Sequence, residues 1–398
     1  MPSYKRLLAL LLALIQLLCL ASCSSDPITE EPQITLPQRT EIADMDSAYR
    51  EQIQSMCQEF VDTNQLMGLS VAVLDKGKAS FLNFGLTDTD GAPITEHTQF
   101  EIASITKTFT SMLMAQMAAD PAVALDIHAR ADNYLPFTLP EKNGKCVELW
   151  HLASHISGLY REPTNYVEGP NPYKDYDMDK LMEYSKIALL LYTPGERYLY
   201  SNLGAATLGL ALTNAAGVDI DHGRGYEALL RQRILDPLGL SETGIFLSEE
   251  AIAAMAQPHW ATGNACDVWE FDILAALGGL KSTTWDLAQY IAAAMGQISC
   301  DETISTAFAE CTKSHYSNGK QNLGLGFHLM TMSNGVTCCW HDGITYGSRS
   351  MLLFSQETGQ GVVVLCNNAV SVYDLGRALM EQILASAPDT GAPEPTVG

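Results

Sequence analysis

From Ile102 to Ala119 the chain is apolar almost all round, the pattern of a helix buried in a core, and Lys107 is its only charge. Leu203 to Leu212 repeats that pattern. Two other stretches are amphipathic. Asp44 to Thr63 lines up Tyr49, Ile53, Met56, Cys57 and Phe60, and Val370 to Ala385 lines up Val372, Leu375, Leu379 and Ile383. Both predict surface helices with one apolar stripe. Leu69 to Leu74 and Ala79 to Phe84 read as strands joined by Asp75-Lys-Gly-Lys78, and Gly347 to Phe354 and Gly361 to Cys366 read as a second successive pair. From Asp120-Pro121 to about Ala294 the pattern is mostly helical, broken by loops such as Glu168 to Pro172, and strands return after Leu323. Strands at both ends with helices between them predict one sheet built from the two termini and a helical insertion. No internal repeat interrupts this plan.

A lysine is rarely fully buried unless it is paired, so Lys107 asks for an explanation. Ser104 lies three residues before it and shares its helix face. An ammonium drawn out of water loses pKa and becomes a neutral amine near physiological pH, which is a base beside a hydroxyl nucleophile. The alternative is a Ser104 helix cap with Lys107 reaching solvent. The same Ser-x-x-Lys spacing recurs at Ser317 to Lys320, in a polar stretch that reads as a turn. Two further motifs separate the two occurrences. Tyr200-Ser201-Asn202 follows the turn signal Thr193 to Arg197 and precedes the second buried helix, whereas Tyr316-Ser-Asn318 is followed only by polar residues. His341-Asp342-Gly343 precedes the last two strands.

In this order and context the three motifs resemble the serine β-lactamase and penicillin-binding protein superfamily, in its class C-like branch. That branch includes class C β-lactamases, D-Ala-D-Ala carboxypeptidases, D-aminopeptidases and esterases. The resemblance runs from about Asp46 to Ala385 and takes in Gly68 to Leu74, Phe100 to Thr110, Trp150 to Leu159, Pro237 to Thr243 and Gly278 to Thr283. It implies an α+β fold: an antiparallel sheet from both termini covered by helices, an inserted all-α lobe, and an active site at their junction. It also implies a reaction through an acyl-enzyme, with no cofactor and no metal. Ser104 would be the nucleophile, and Lys107 and Tyr200 the catalytic partners, either of which could take the serine proton. An ammonium beside Tyr200 would lower its pKa. The backbone N–H groups of Ser104 and Ile344 would form the oxyanion hole. Asn202, His341, Asp342 and Gly343 would contact substrate.

Several of these residues have a second reading. Tyr200 could be a core aromatic and Asn202 a helix cap. His151 and His155 stand four apart, as metal ligands on a helix do, although the family carries a similar run as structure. Class C β-lactamases usually have Lys-Thr-Gly where this chain has His341-Asp342-Gly343, and the carboxypeptidases and several esterases have His-x-Gly. An aspartate at the middle position repels a substrate carboxylate, unless it turns away to pair with Arg349.

The formal net charge of −23 and pI of about 4.6, with no basic cluster outside the first residues, argue against nucleic acid as a partner, because phosphate binding needs concentrated Lys and Arg. Lys5, Arg6 and the apolar run Leu7 to Leu20 read as a signal peptide over 1–22, and Leu20-Ala21-Ser22-Cys23 resembles a bacterial lipobox that would place a lipid anchor on Cys23. Residues 23–43 read as a flexible tether and 387–398 as a disordered tail. Between them, 44–386 forms the enzyme domain, with sheet parts near 44–120 and 323–386 and the helical lobe near 121–322. Of the ten cysteines, eight remain beyond Cys19 and Cys23, an even number that permits disulfides without fixing their pairing, and their spacing fits no zinc site. Cys57 fits an apolar helix face, and Cys338 and Cys339 would point to opposite sides of a strand. The expectation is a lipid-anchored serine hydrolase of the bacterial cell envelope, acting on a small-molecule amide, ester or peptide. The rivals are a β-lactamase proper and a silent peptidoglycan- or peptide-binding protein on the same fold.

Overall fold

The computed structural model describes residues 47–385, so Cys23 and the stretches expected to be leader, tether and tail lie outside it. The elements run α1 Ser47–Asn64, β1 Gly68–Asp75, β2 Lys78–Gly85, β3 Phe100–Glu101, α2 Thr106–Ala119, α3 Leu149–Ala153, α4 Met178–Ser185, α5 Asn202–Ala215, α6 Arg224–Leu230 and α7 Glu249–Ala254. They continue with β4 Lys281–Ser282, α8 Thr284–Ala294, α9 Glu302–Thr312, β5 Tyr316–Ser317, β6 Asn322–Leu323, β7 His328–Thr331, β8 Thr337–Ile344, β9 Arg349–Ser355, β10 Gln360–Cys366 and α10 Tyr373–Ala385. Among the described residues no helix is long and apolar enough to cross a membrane.

The strands order themselves β2-β1-β10-β9-β8-β7-β6-β5, antiparallel throughout. The N-terminal hairpin therefore joins the C-terminal strands through β1 and β10, where Val71 stands opposite Val364. The fold is the α+β arrangement expected. Alternation along β1 sends Leu69, Val71 and Val73 to one face and Ala72 and Leu74 to the other. The first face packs against Ile53 and Cys57 of α1 and Leu379 and Ile383 of α10. The second packs against Phe109 and Leu113 of α2 and Leu287 and Ile291 of α8. Cys338 and Cys339 fall into these two opposite cores, and the eight cysteines from Cys57 to Cys366 are all free thiols.

Three features differ from the pattern-based reading. Strands resume at Tyr316 rather than after Leu323, so Tyr316-Ser317 is a two-residue edge strand. Helix α8 sits within the stretch read as the helical lobe, yet it lies on the sheet, where Thr284 Oγ1 is 2.7 Å from Ser70 Oγ and Trp285 stacks on Phe81. Finally, β3 and β4 form a separate two-stranded ladder that puts Glu101 opposite Lys281. Two paired residues are too few for period-two alternation to register.

That small ladder organises the loops around the site. Glu101 and Lys281 are 3% and 5% exposed, so both charges are held out of water. Glu101 Oε1 accepts the backbone N–H of Trp269 at 2.6 Å, and its Oε2 accepts the hydroxyls of Thr345 at 2.6 Å and Ser348 at 3.1 Å. Lys281 Nζ donates to the carbonyls of Trp269 at 2.9 Å and Ile245 at 3.4 Å. The peptide groups on both sides of Trp269 are thus fixed by one buried pair of opposite charge. Glu101→Ala leaves three buried donors, the Trp269 N–H and the Thr345 and Ser348 hydroxyls, without their acceptor, and should cost about 3–5 kcal/mol at roughly 1–3 kcal/mol for each stranded group. Urea unfolding checks this: the midpoint should fall well below that of the parent, and an unchanged midpoint would show that the ladder holds nothing.

Candidate active site

Ser104 sits in a 3₁₀ turn, Ala103–Ile105, that feeds directly into α2. It is the only partly exposed residue between Glu101 and Met117. It is not a cap, because neither the turn nor α2 has a side-chain cap bond. The residue before it, Ala103, has φ +45°, a left-handed conformation that costs a non-glycine residue about 1–3 kcal/mol. This kink turns the hydroxyl out of an otherwise buried segment. Lys107 stays inside at 2% exposure, with Nζ 2.9 Å from Ser104 Oγ and 2.5 Å from the Leu277 carbonyl. Burial lowers its pKa to about 7 and Arg161 adds to the fall, while Glu162 and Asp342 pull the other way.

Tyr200 reaches the same place from the helical lobe. The N-cap of α5 is Ser201, not Asn202: its Oγ accepts the Gly204 N–H at 2.8 Å and donates to the Tyr160 carbonyl at 2.6 Å. The Ser201 N–H donates to Nδ1 of His155, whose ring stacks on Tyr200 at 4.3 Å between centroids. His155 has φ +56°, and its carbonyl accepts the Leu199 N–H. His151 Nδ1 accepts the Glu148 N–H and closes the capping box of α3. The two histidines are therefore engaged separately, and burial holds both imidazoles neutral, His151 near 4 and His155 well below its ordinary value. Among the described residues no three His, Cys, Asp or Glu side chains gather as metal ligands do.

The Tyr200 ring lies 5.1 Å from Lys107 Nζ and 4.9 Å from the Arg161 guanidinium carbon. The lowered phenol pKa expected from a neighbouring ammonium is reversed. Burial pushes it up, and the Ser104 hydroxyl and Arg161 offset only part of the rise.

The third motif lies inside β8, and alternation splits it. Trp340, Asp342 and Ile344 line the cleft, whereas His341 and Gly343 face the other way. His341 is buried, with its Nδ1 2.6 Å from the Asp342 carbonyl and its ring 6.3 Å from that of Tyr200. Gly343 is pressed against the turn before Ser104. A Cβ there would lie 2.2 Å from the Ile102 carbonyl oxygen, which already accepts the Ser350 hydroxyl at 2.8 Å. Asp342 stays on the cleft rather than turning to Arg349, which donates to the carbonyls of Thr345 at 2.6 Å and Ser348 at 2.8 Å. Burial raises the Asp342 carboxyl, against the pull of its own backbone N–H and the charges of Lys107 and Arg349. Ile344 is 57% exposed at the rim.

These residues border a cleft of about 540 Å³ that also holds side chains the motifs did not single out, above all Arg161, Glu162, Tyr173, Trp269 and Tyr346. Glu162 Oε1 accepts from Asn202 Nδ2 at 2.5 Å and from the Tyr173 hydroxyl at 3.1 Å. Arg161-Glu162 was discoverable as the charged pair that follows the buried run ending at Leu159. Tyr173 and Trp269 sit in loops whose path no local pattern gives.

The sequence profile of the beta-lactamase family matches residues 53–385. Among curated proteins, a beta-lactamase of Pseudomonas fluorescens is 28% identical over 281 residues, covering 70% of this chain and 74% of that protein. A beta-lactamase of Escherichia coli is 24% identical over 342 residues, covering 77% and 85%. Among solved structures, the beta-lactamase/D-alanine carboxypeptidase of Pseudomonas syringae superposes with a TM-score of 0.73 at 23% identity, over 86% of this chain and 99% of that one. The D-alanine carboxypeptidase of Burkholderia cenocepacia gives 0.71 at 21%, over 85% and 99%. With the family profile spanning most of its length and the fold shared with these enzymes, the chain belongs to the beta-lactamase family.

Proposed function

We propose that the protein is a serine hydrolase of the cell envelope, held to a membrane through a lipid on Cys23, that acts on a small amide or ester in the manner of a D-alanine carboxypeptidase or esterase. The observation that carries this reading is the 2.9 Å contact between Ser104 Oγ and the buried amine of Lys107. Family membership supports it, as do relatives named as beta-lactamases and D-alanine carboxypeptidases. The envelope location rests on the leader and the lipobox-like Leu20 to Cys23.

In this mechanism neutral Lys107 takes the Ser104 proton as Oγ attacks the substrate carbonyl carbon. The tetrahedral oxyanion is met by the backbone N–H groups of Ser104 and Ile344. The bond to the leaving amine or alcohol then breaks, and that group departs with a proton handed on through Lys107 or the Tyr200 phenol. Water next attacks the acyl-enzyme, Lys107 again takes a proton, and carboxylic acid and free serine are regenerated. The raised Tyr200 phenol is a proton donor in this scheme and Lys107 the base.

Removing the nucleophile should lower hydrolysis of a chromogenic ester by at least about a thousandfold. Intact-mass spectra should show an acyl or fluorophosphonate adduct on the parent and none on Ser104→Ala. Unchanged hydrolysis in that variant would sink the assignment, and a parent that takes no adduct from any probe would point to the silent binding protein.

The acylation rate should depend on pH through Lys107, which is neutral above its lowered value of about 7 and protonated below it. The single-turnover rate should therefore rise about tenfold per pH unit below 7 and level off above it. A profile flat from pH 5 to pH 9 contradicts Lys107 as the base.

A β-lactamase proper is the second reading, favoured by the names of the curated relatives. Asp342 on the cleft wall opposes it, because β-lactams present a carboxylate to that strand in related enzymes. Asp342→Thr should raise nitrocefin turnover at least tenfold relative to a neutral ester. Brisk nitrocefin turnover by the parent, lost in Ser104→Ala, would reverse the preference between the two readings.

A further inference from the structure

One end of the cleft carries a carboxylate that the mechanism above does not use. Glu162 Oε1 is occupied by Asn202 and Tyr173, while its Oε2 is buried and has no hydrogen-bond partner among the described residues. Two donors fix the carboxylate plane, so the free oxygen has a defined direction instead of a mobile one. Around it the wall is aromatic. Tyr173 meets Trp269 edge-on at 5.3 Å between ring centroids, Trp269 meets Tyr346 edge-on at 5.0 Å, and Tyr166 lies 5.5 Å from Tyr173. Trp269 is itself immobilised by the Glu101–Lys281 ladder.

An acceptor oxygen without a donor, set among aromatic rings, is the chemistry that recognises a cation. An apolar or anionic group there would leave that oxygen unpaired, and a neutral donor could bond to it but would leave the buried negative charge uncompensated. The charges facing Glu162 do not cancel this preference. Of the lining residues, Glu162 and Asp342 are acidic and Arg161 is basic, and the Arg161 guanidinium sits over the Tyr200 ring, with no hydrogen bond or ion pair to Glu162 among the described residues. Lys107 lies behind Ser104, bonded to that hydroxyl and to the Leu277 carbonyl. The chain as a whole, at −23, draws cations toward every opening on its surface.

We propose that Glu162, with Tyr173, Trp269 and Tyr346, makes the Asn202 end of the cleft a subsite for a positively charged acyl portion of the substrate, an ammonium or alkylammonium group. The inference rests on the serine-hydrolase reading for its choice of substrate and deepens it from amide or ester to cationic amide or ester. Glu162 is a specificity-determining residue in this view and takes no part in bond making.

A matched pair of probes tests it. The p-nitrophenyl ester of 4-(trimethylammonio)butyric acid and that of 5,5-dimethylhexanoic acid have the same shape and differ only in the charge of the terminal group. The parent should favour the cationic ester at least tenfold in kcat/KM, chiefly through KM, and Glu162→Gln should bring the ratio to about one, whatever it does to the absolute rates. A parent ratio of one or less, or a ratio unmoved by Glu162→Gln, overturns the subsite. Titration calorimetry with 4-(trimethylammonio)butyramide supplies a readout that needs no turnover. The parent should bind it at least tenfold more tightly than Glu162→Gln does, and equal affinities again overturn the proposal. Loss of hydrolysis with the binding difference intact would fault the hydrolase reading alone. Tight cation binding absent from a parent that still hydrolyses the neutral ester would fault the subsite alone.

Discussion

The site is organised around one costly placement, the amine of Lys107 enclosed by α2 and the Leu277 carbonyl instead of by water. Desolvation dominates its environment, and the folded-state value of about 7 lies well below the 10.5 of an exposed lysine. The sign of the consequence for stability follows directly. Between about pH 7 and 10.5 the unfolded chain binds a proton that the folded chain has released, so the contribution of this group to stability becomes more favourable as pH rises through that window. Below it the folded protein carries a buried ammonium and the cost is complete. The fold tolerates that cost because α2 is gripped on all sides: Thr110 bonds to the Ala276 carbonyl and lies 2.7 Å from the Tyr226 hydroxyl, and Phe109 stacks on Tyr290.

Everything else at the site is positioned relative to that amine. Ala103 is kinked so that Ser104 faces outward one turn away, and Gly343 lets β8 close against Ile102 just before the kink. From the other side, His155 holds Tyr200 by stacking and fixes the start of its loop through the Ser201 N–H. Three segments far apart in sequence thus converge through contacts that each involve a conformation or a close approach that ordinary residues resist. Local strain at Ala103 and His155 is stored beside the candidate site, where packing from two directions can over-determine it.

Much of this was legible in the residues. Period-two alternation gave the long strands, and the absence of charge around Lys107 gave both a buried helix and a perturbed amine. Three things were not legible, each for a physical reason. The rise of the Tyr200 pKa was missed because a sequence shows which charge is near but not how much water is removed, and removal of water is the larger effect here. Ser201, rather than Asn202, caps α5 because the loop turns one residue earlier than the tripeptide suggests, and only the Tyr160 carbonyl explains why. Trp269 and Tyr346 of the aromatic wall sit in loops held by Glu101 and Lys281, ladder partners with no local signature, and Tyr173 comes from a further loop that no local pattern traces.

The charges of the cleft link reactivity and selectivity. Glu162 and Asp342 both raise the affinity of Lys107 for its proton, and Arg161 lowers it, so the amine's value near neutrality is a balance of burial against these neighbours. The carboxylate that would select a cationic acyl group is therefore also one that keeps the base from becoming too weak. A cation seated against Glu162 neutralises that carboxylate, withdraws part of its support for the ammonium form of Lys107, and favours the neutral amine. In such an arrangement the right substrate makes its own base more available at the moment of binding, whereas a neutral competitor leaves the amine more often protonated. Under the proposed function, charge recognition and nucleophile activation would share one electrostatic origin in the two acids that face the buried lysine.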